Sequence, residues 1–160
     1  MIDITIPVAF TFFLGALAVT VFPNSKIRAA LGLFVPLIAI LQVFSLPEGN
    51  LIQLEMFDTR LELLRVDRLS RVFAIIFCIA AFLGNLYAWH VRDITQQVAA
   101  LFYAGSALGA VFSGDLLTLF FYWEGTAISS VFLIWARRTK GSYFTGLRYL
   151  IIQISSGVLL

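Results

Sequence analysis

The sequence predicts an all-α integral membrane protein with six transmembrane helices and a short outer β-hairpin-like segment between the second and third. Three observations carry this. The chain of 160 residues is 61% hydrophobic, with a mean hydropathy of +0.96. Only 12% of its residues are charged, about half the ~25% of an ordinary soluble domain. And Glu124 is the one charged residue in the run from Leu116 to Trp135, which as a helix rising ~1.5 Å per residue is long enough to cross a hydrocarbon core of ~30 Å.

Hydropathy divides the chain into successive apolar runs. The first spans Ile4 to Phe22, the second Ala29 to Leu46, the third Leu69 to Ala88 and the fourth Val98 to Phe112; the fifth contains Glu124 and the sixth opens near Tyr143. Met1 is followed by Asp3 rather than by a basic stretch, and no small-residue cleavage site follows the first run, so that run is expected to be retained as a helix. The chain reads as an N-terminal three-helix region, residues 1–88, with the outer loop 47–68, followed by a second helical stretch, residues 89–160.

In the outer loop, LIQLEM and RLELLRV come close to alternating apolar and polar residues, the signal of half-buried strands, with Asp58-Thr59 as the turn. Its charges read as a solvated face. Asp67 is placed to cap the third helix and to pair with Arg71 four residues on.

Basic residues orient the chain. Seven (Lys26, Arg28, Arg92, Arg137, Arg138, Lys140 and Arg148) fall on one side of the expected membrane and four (Arg60, Arg65, Arg68 and Arg71) on the other. By the positive-inside rule, the N-terminus and the outer loop face away from the cytoplasm. His90, beside Trp89 at the inner end of the third span, reads as an interfacial anchor.

Glu124 is the residue to explain. An acidic side chain at the centre of a spanning helix costs roughly 2.5 to 3.5 kcal/mol on insertion scales, so it normally faces a partner or a water-filled path. Its neighbours three and four positions away, Phe120, Phe121, Ala127 and Ile128, are all apolar, so its own helix offers it no partner. Proton or cation handling is one reading; a protonated acid hydrogen-bonded between helices is the other. The hydroxyls of Thr118, Thr126 and Ser129 read as bonded to carbonyls of the preceding turn. In the fourth span, Gly105 and Gly109 form a small-xxx-small surface for close helix packing. Tyr103 and Ser106 nearby, with Gln153 and Ser155 in the sixth span, are candidates to line a hydrated path.

Other chemistries find little footing. Lys and Arg do not cluster as a nucleic-acid surface requires. One His and one Cys, with no paired metal-ligand motif and no glycine-rich nucleotide loop, leave no metal or cofactor site and no catalytic residues to assign. Cys78, in an apolar run, reads as a small buried hydrophobe.

Three stretches carry a resemblance: VDRLS at Val66 to Ser70, SGDLLTLFFYWEGTAISSVFLIW around Glu124, and RYLIIQISSG at Arg148 to Gly157. Together they resemble the N-terminal part of antiporter-like membrane subunits, nearest to the Mrp D group of Na⁺/H⁺ antiporter components and related to the proton-pumping membrane subunits of respiratory complex I. The resemblance implies a fold of about fourteen helices, with two inverted repeats of about five helices each after the first three. It implies a bacterial inner-membrane location, transport of H⁺ in exchange for Na⁺, and other membrane subunits as partners. Glu124 matches the family's glutamate, which pairs there with a lysine on a later, broken helix. Since the chain stops at Leu160 within its sixth run, that partner is missing, and the chain is expected to be a fragment or a truncated reading frame. A membrane component of a complex I-type quinone oxidoreductase and a non-transporting assembly subunit are the alternatives.

Overall fold

The computed structural model describes residues 6–56 and 59–159. Asp3, the start of the first expected span and Asp58 of the expected turn lie outside the described residues. The described chain is mostly helical: α1 Val8–Val21, α2 Ser25–Ser45, α3 Arg68–Tyr87, α4 Ile94–Val111, α5 Leu116–Trp135 and α6 Lys140–Val158, with a single 3₁₀ turn, Ala88–His90, between α3 and α4. Strands β1 Gly49–Met56 and β2 Thr59–Val66 pair antiparallel between α2 and α3.

Side-chain caps set where most of these helices begin. Asn24, Asp67, Asp93, Asp115 and Thr139 each accept a hydrogen bond from a backbone N–H of the first turn of α2, α3, α4, α5 and α6, which satisfies donors the helix itself leaves open. Asp67 and Thr139 complete reciprocal capping boxes with Ser70 and Ser142. The Ser70 N–H bonded to Asp67 holds that carboxyl below its ordinary value. Arg71 is not drawn to Asp67. It lies 3.7 Å from Glu48 Oε1 and donates to the carbonyl of Leu46 at 2.9 Å, stapling the ends of α2 and α3 together.

Four helical stretches, Ser25–Ser45, Arg68–His90, Ile94–Val111 and Leu116–Trp135, are long and apolar enough to cross a membrane. Two of the expected spans do not reach that standard among the described residues. The helix of the first is 14 residues long, about 21 Å at ~1.5 Å per residue. That of the sixth carries Lys140 and Arg148 among Ser, Thr and Gln residues, which lowers its hydropathy.

One core serves both halves of the chain. Val8, Phe12 and Val19 of α1 pack with Leu101, Leu108 and Phe112 of the α4 region, and Leu64 and Val66 of β2 close the end of the core next to the hairpin. Gly105 lets α4 approach α1: a β-carbon at that position would lie 2.8 Å from Cβ of Phe12 and 3.1 Å from the carbonyl oxygen of Ala9.

The hairpin is tied down through its second strand. Arg65 N–H donates to the carbonyl of Phe112 at 2.8 Å and Gly114 N–H to that of Glu62 at 2.9 Å. Glu62 N–H in turn donates to Asp115 Oδ2 at 2.7 Å. Burial works against the charge on Asp115, but hydrogen bonds from the Thr118 N–H and hydroxyl and from the Glu62 N–H hold its carboxyl below the ordinary value of 3.8. At the opposite end of the bundle, Arg28 donates to the carbonyl of Arg92 at 2.9 Å and Arg138 lies 3.4 Å from Asp93. The segments joining α1 to α2, α3 to α4 and α5 to α6 therefore gather at that end, away from the hairpin.

Candidate functional site at Glu124

Glu124 sits near the middle of α5, on the side facing α6. Two small-residue contacts bring the neighbouring helices close to it. Gly125 receives Ser106 of α4, whose Oγ would be 2.6 Å from a β-carbon at position 125. On the other side, a β-carbon at Gly157 of α6 would overlap Glu124 Oε1 and come within 3.4 Å of the Phe120 ring. Bare backbone at 157 is thus what makes room for the carboxylate.

That oxygen is buried and has no hydrogen-bond partner. Among the described residues Glu124 makes no ion pair either. Beside it, Leu119, Phe120, Trp123, Ser156 and Gly157 line a cavity of about 110 Å³, room for about three water molecules at ~30 Å³ each. An idle acceptor buried between helices normally costs on the order of 1–3 kcal/mol. Its persistence here marks Glu124 as the chemically unsettled point of the bundle.

Ser106 is the second such point. It is 1% exposed, and its Oγ also lacks a partner. Because Gly125 and Glu124 are successive residues, ~100° apart around the helix, Ser106 and Gly157 flank α5 on different sides. The two orphaned oxygens belong to one stretch of α5 and face different neighbours.

The remaining candidate residues are spread out. Gln153 lies one turn below Gly157 on α6 and is half-buried, whereas Ser155 is exposed, on a different side of that helix. Tyr103 is 44% exposed and lines a groove between α3 and α4. Among the described residues these three and Ser106 do not share one lining with Glu124. Gly109 receives the ring of Tyr122, drawing α4 against α5. The hydroxyls of Thr126 and Ser129 are bound to carbonyls of the preceding turn, those of Trp123 and Gly125, and Ser130 also donates to Tyr149 Oη of α6 at 2.9 Å. No group of three or more His, Cys, Asp or Glu side chains suited to a metal ion occurs among the described residues.

The sequence pattern singled out Glu124 but neither Gly125 nor Gly157 as its complement. The available signal was that each glycine follows directly on a polar residue within an apolar helix, in WEG and SSG. Such a position reads equally well as ordinary small-residue packing.

The fold and site define a multi-helix membrane protein with an unpartnered carboxylate inside its fifth helix. Compared with known protein families, with characterised proteins and with solved structures, the chain finds no match.

Proposed function

We propose that this chain is a proton- and monovalent-cation-translocating membrane subunit similar to the Mrp D group of Na⁺/H⁺ antiporter components, with Glu124 as the group that receives and passes on the proton. The observation that carries the reading is the buried, unpartnered Oε1 of Glu124 within a helix long enough to span the membrane. A carboxyl kept only to bind helices together would spend both oxygens on hydrogen bonds, since a half-satisfied buried polar group costs more than an apolar replacement. The buried oxygen of Glu124 is left unbonded instead.

In this reading all six helices cross a bacterial inner membrane, with the hairpin outside and the Arg137–Lys140 turn in the cytoplasm. Protons reach Glu124 along the α5–α6 contact, past Ser156 and Gln153, and the ion exchanged for them is Na⁺. The cationic partner is a lysine on a later helix, as in the family the chain resembles, and other membrane subunits complete the assembly. The resemblance carried by WEG and RYLIIQISSG supports the assignment, and so does the small cavity beside the carboxylate.

The test is Glu124→Gln, which keeps size and hydrogen bonding but cannot ionise. Cation-driven collapse of a pH gradient, followed by a fluorescent dye in vesicles carrying the assembled complex, is expected to vanish. Undiminished exchange by a normally assembled variant would remove Glu124 from the mechanism.

A further inference from the structure

Two cavities at the inner end of the bundle take no part in the Glu124 site. They measure about 120 and 420 Å³ and share Asn85, Ala88, Ala100 and Leu133, so they adjoin between α2, α3 and α4. The larger is an apolar groove floored by small residues such as Ala80, Gly84 and Ala104, left open because α3 stands off α4 while α1 and α5 pack closely on it. From Phe77 to Ala88 it runs along α3 for about 16 Å at ~1.5 Å per residue. That is close to half of a ~30 Å hydrocarbon core, the depth of one leaflet.

The smaller cavity is walled on its polar side by Arg28, Gln96 and Gln97. Arg28 is 6% exposed. Its guanidinium donates to Gln97 Oε1 at 3.1 Å and to the carbonyls of Phe22, Pro23 and Arg92 at 3.3, 3.0 and 2.9 Å. All four acceptors are neutral, and one of the five guanidinium N–H groups is left over. No carboxylate among the described residues lies within ion-pair distance of it. A buried cation without a countercharge is costly, and this one stands at the inner end of a groove one acyl chain deep.

We propose that the groove holds one anionic phospholipid of the cytoplasmic leaflet, its phosphate against Arg28 and an acyl chain between α3 and α4. Basic pockets between spanning helices on the cytoplasmic side suit anionic headgroups in general. A partner helix would need a groove running through both leaflets and would leave Arg28 uncompensated. The inference rests on the membrane-crossing reading and not on ion transport by Glu124.

The full chain, purified in detergent and given equimolar dioleoyl-phosphatidylglycerol and dioleoyl-phosphatidylcholine, tests this by native mass spectrometry. The expected result is one retained lipid, with phosphatidylglycerol preferred roughly fivefold, the equivalent of about 1 kcal/mol for one cation. Arg28→Gln is expected to abolish the preference. Because Arg28 also holds three backbone carbonyls, Gln96→Glu serves as a second variant: it sets a negative charge beside the phosphate without touching those bonds, and it too is expected to erase the preference. Gly84→Leu fills the groove at a position where an added β-carbon meets nothing within 4 Å, so it is expected to lower retention of both lipids several-fold. Equal retention of the two lipids by the unsubstituted chain would overturn the proposal. So would unchanged retention in Gly84→Leu, or a lipid-free dimer that this substitution dissociates.

Discussion

Gly157 presents bare backbone to Glu124 Oε1, at a spot where even a β-carbon would overlap the oxygen. The atom in the way is the end of a flexible side chain, so Gly157→Ala is relieved by moving the carboxyl and not the helix. Folding stability is expected to change by less than about 1 kcal/mol. Exchange is expected to fall several-fold, because the acid is displaced from its place between α5 and α6. Thermal unfolding and vesicle flux measured on the same preparation check the pair of outcomes; unchanged flux would mean that the position of the carboxyl does not matter.

Shortening the acid asks a different question. Glu124→Asp keeps a titratable group but withdraws it by one methylene, and it is expected to retain more exchange activity than Glu124→Gln. Equal activity of the two variants would point to a role for size or hydrogen bonding alone.

Two glycines of neighbouring helices should respond oppositely to alanine. At Gly109 the added methyl would run into the buried side of the Tyr122 ring, a bulky group with little freedom to withdraw. A cost of about 1–3 kcal/mol is expected for that overpacking. At Gly84 a β-carbon meets nothing within 4 Å, and the higher helix propensity of alanine is expected to leave stability unchanged or raise it by up to about 1 kcal/mol. Denaturation of both variants in the same detergent decides.

Asp115 links stability to acidity. Folding lowers its carboxyl below 3.8, so its contribution is fully present above that ordinary value and is lost as the pH falls through the lower, folded one. Asp115→Asn is expected to flatten the stability profile in this acidic range, and Asp115→Ala to cost about 1–3 kcal/mol at neutral pH through the lost cap and the Glu62 N–H left without its acceptor. Hydrogen exchange at the Glu62 amide reports the same event locally and should speed up in the alanine variant.

Orientation has its own check. With Cys78 replaced by alanine, a single cysteine beside Lys140 is expected to resist an impermeant thiol reagent in intact cells, while one at Gln53 is expected to react. Labelling beside Lys140 from outside would invert the arrangement.

Much of the framework was legible because its signals are local. Apolar runs mark the helices and Asp67 the start of the third, whereas the caps Asn24, Asp93 and Thr139 lie a few residues before the apolar runs at Ala29, Val98 and Tyr143; the nearly alternating segments on either side of Asp58 mark strands. The isolation of Glu124 is likewise visible in a single stretch of sequence. What could not be read was which surfaces meet. The capping aspartate and Arg71 stand four residues apart, yet Glu48 and the carbonyl of Leu46, reached only through the fold, claim the arginine. Tyr103 and Ser106 are three residues apart and belong to different surroundings, a groove beside α3 and a tight contact with α5. Arg28 reads as one more cytoplasmic charge, and only the fold reveals that it is buried and answered by carbonyls.

Strand β2 binds the start of α5 through Asp115 and the end of α4 through Phe112, and it leads within one residue into Asp67 at the head of α3. Three helices are thereby yoked at one end, like ribs held by a single collar. Their other ends are linked by a 3₁₀ turn, by an exposed contact between Arg138 and Asp93, and by the bonds of buried Arg28 to Gln97 and to the carbonyl of Arg92. A substitution that loosens the hairpin, such as Asp115→Ala, therefore acts on three helices at once rather than on one.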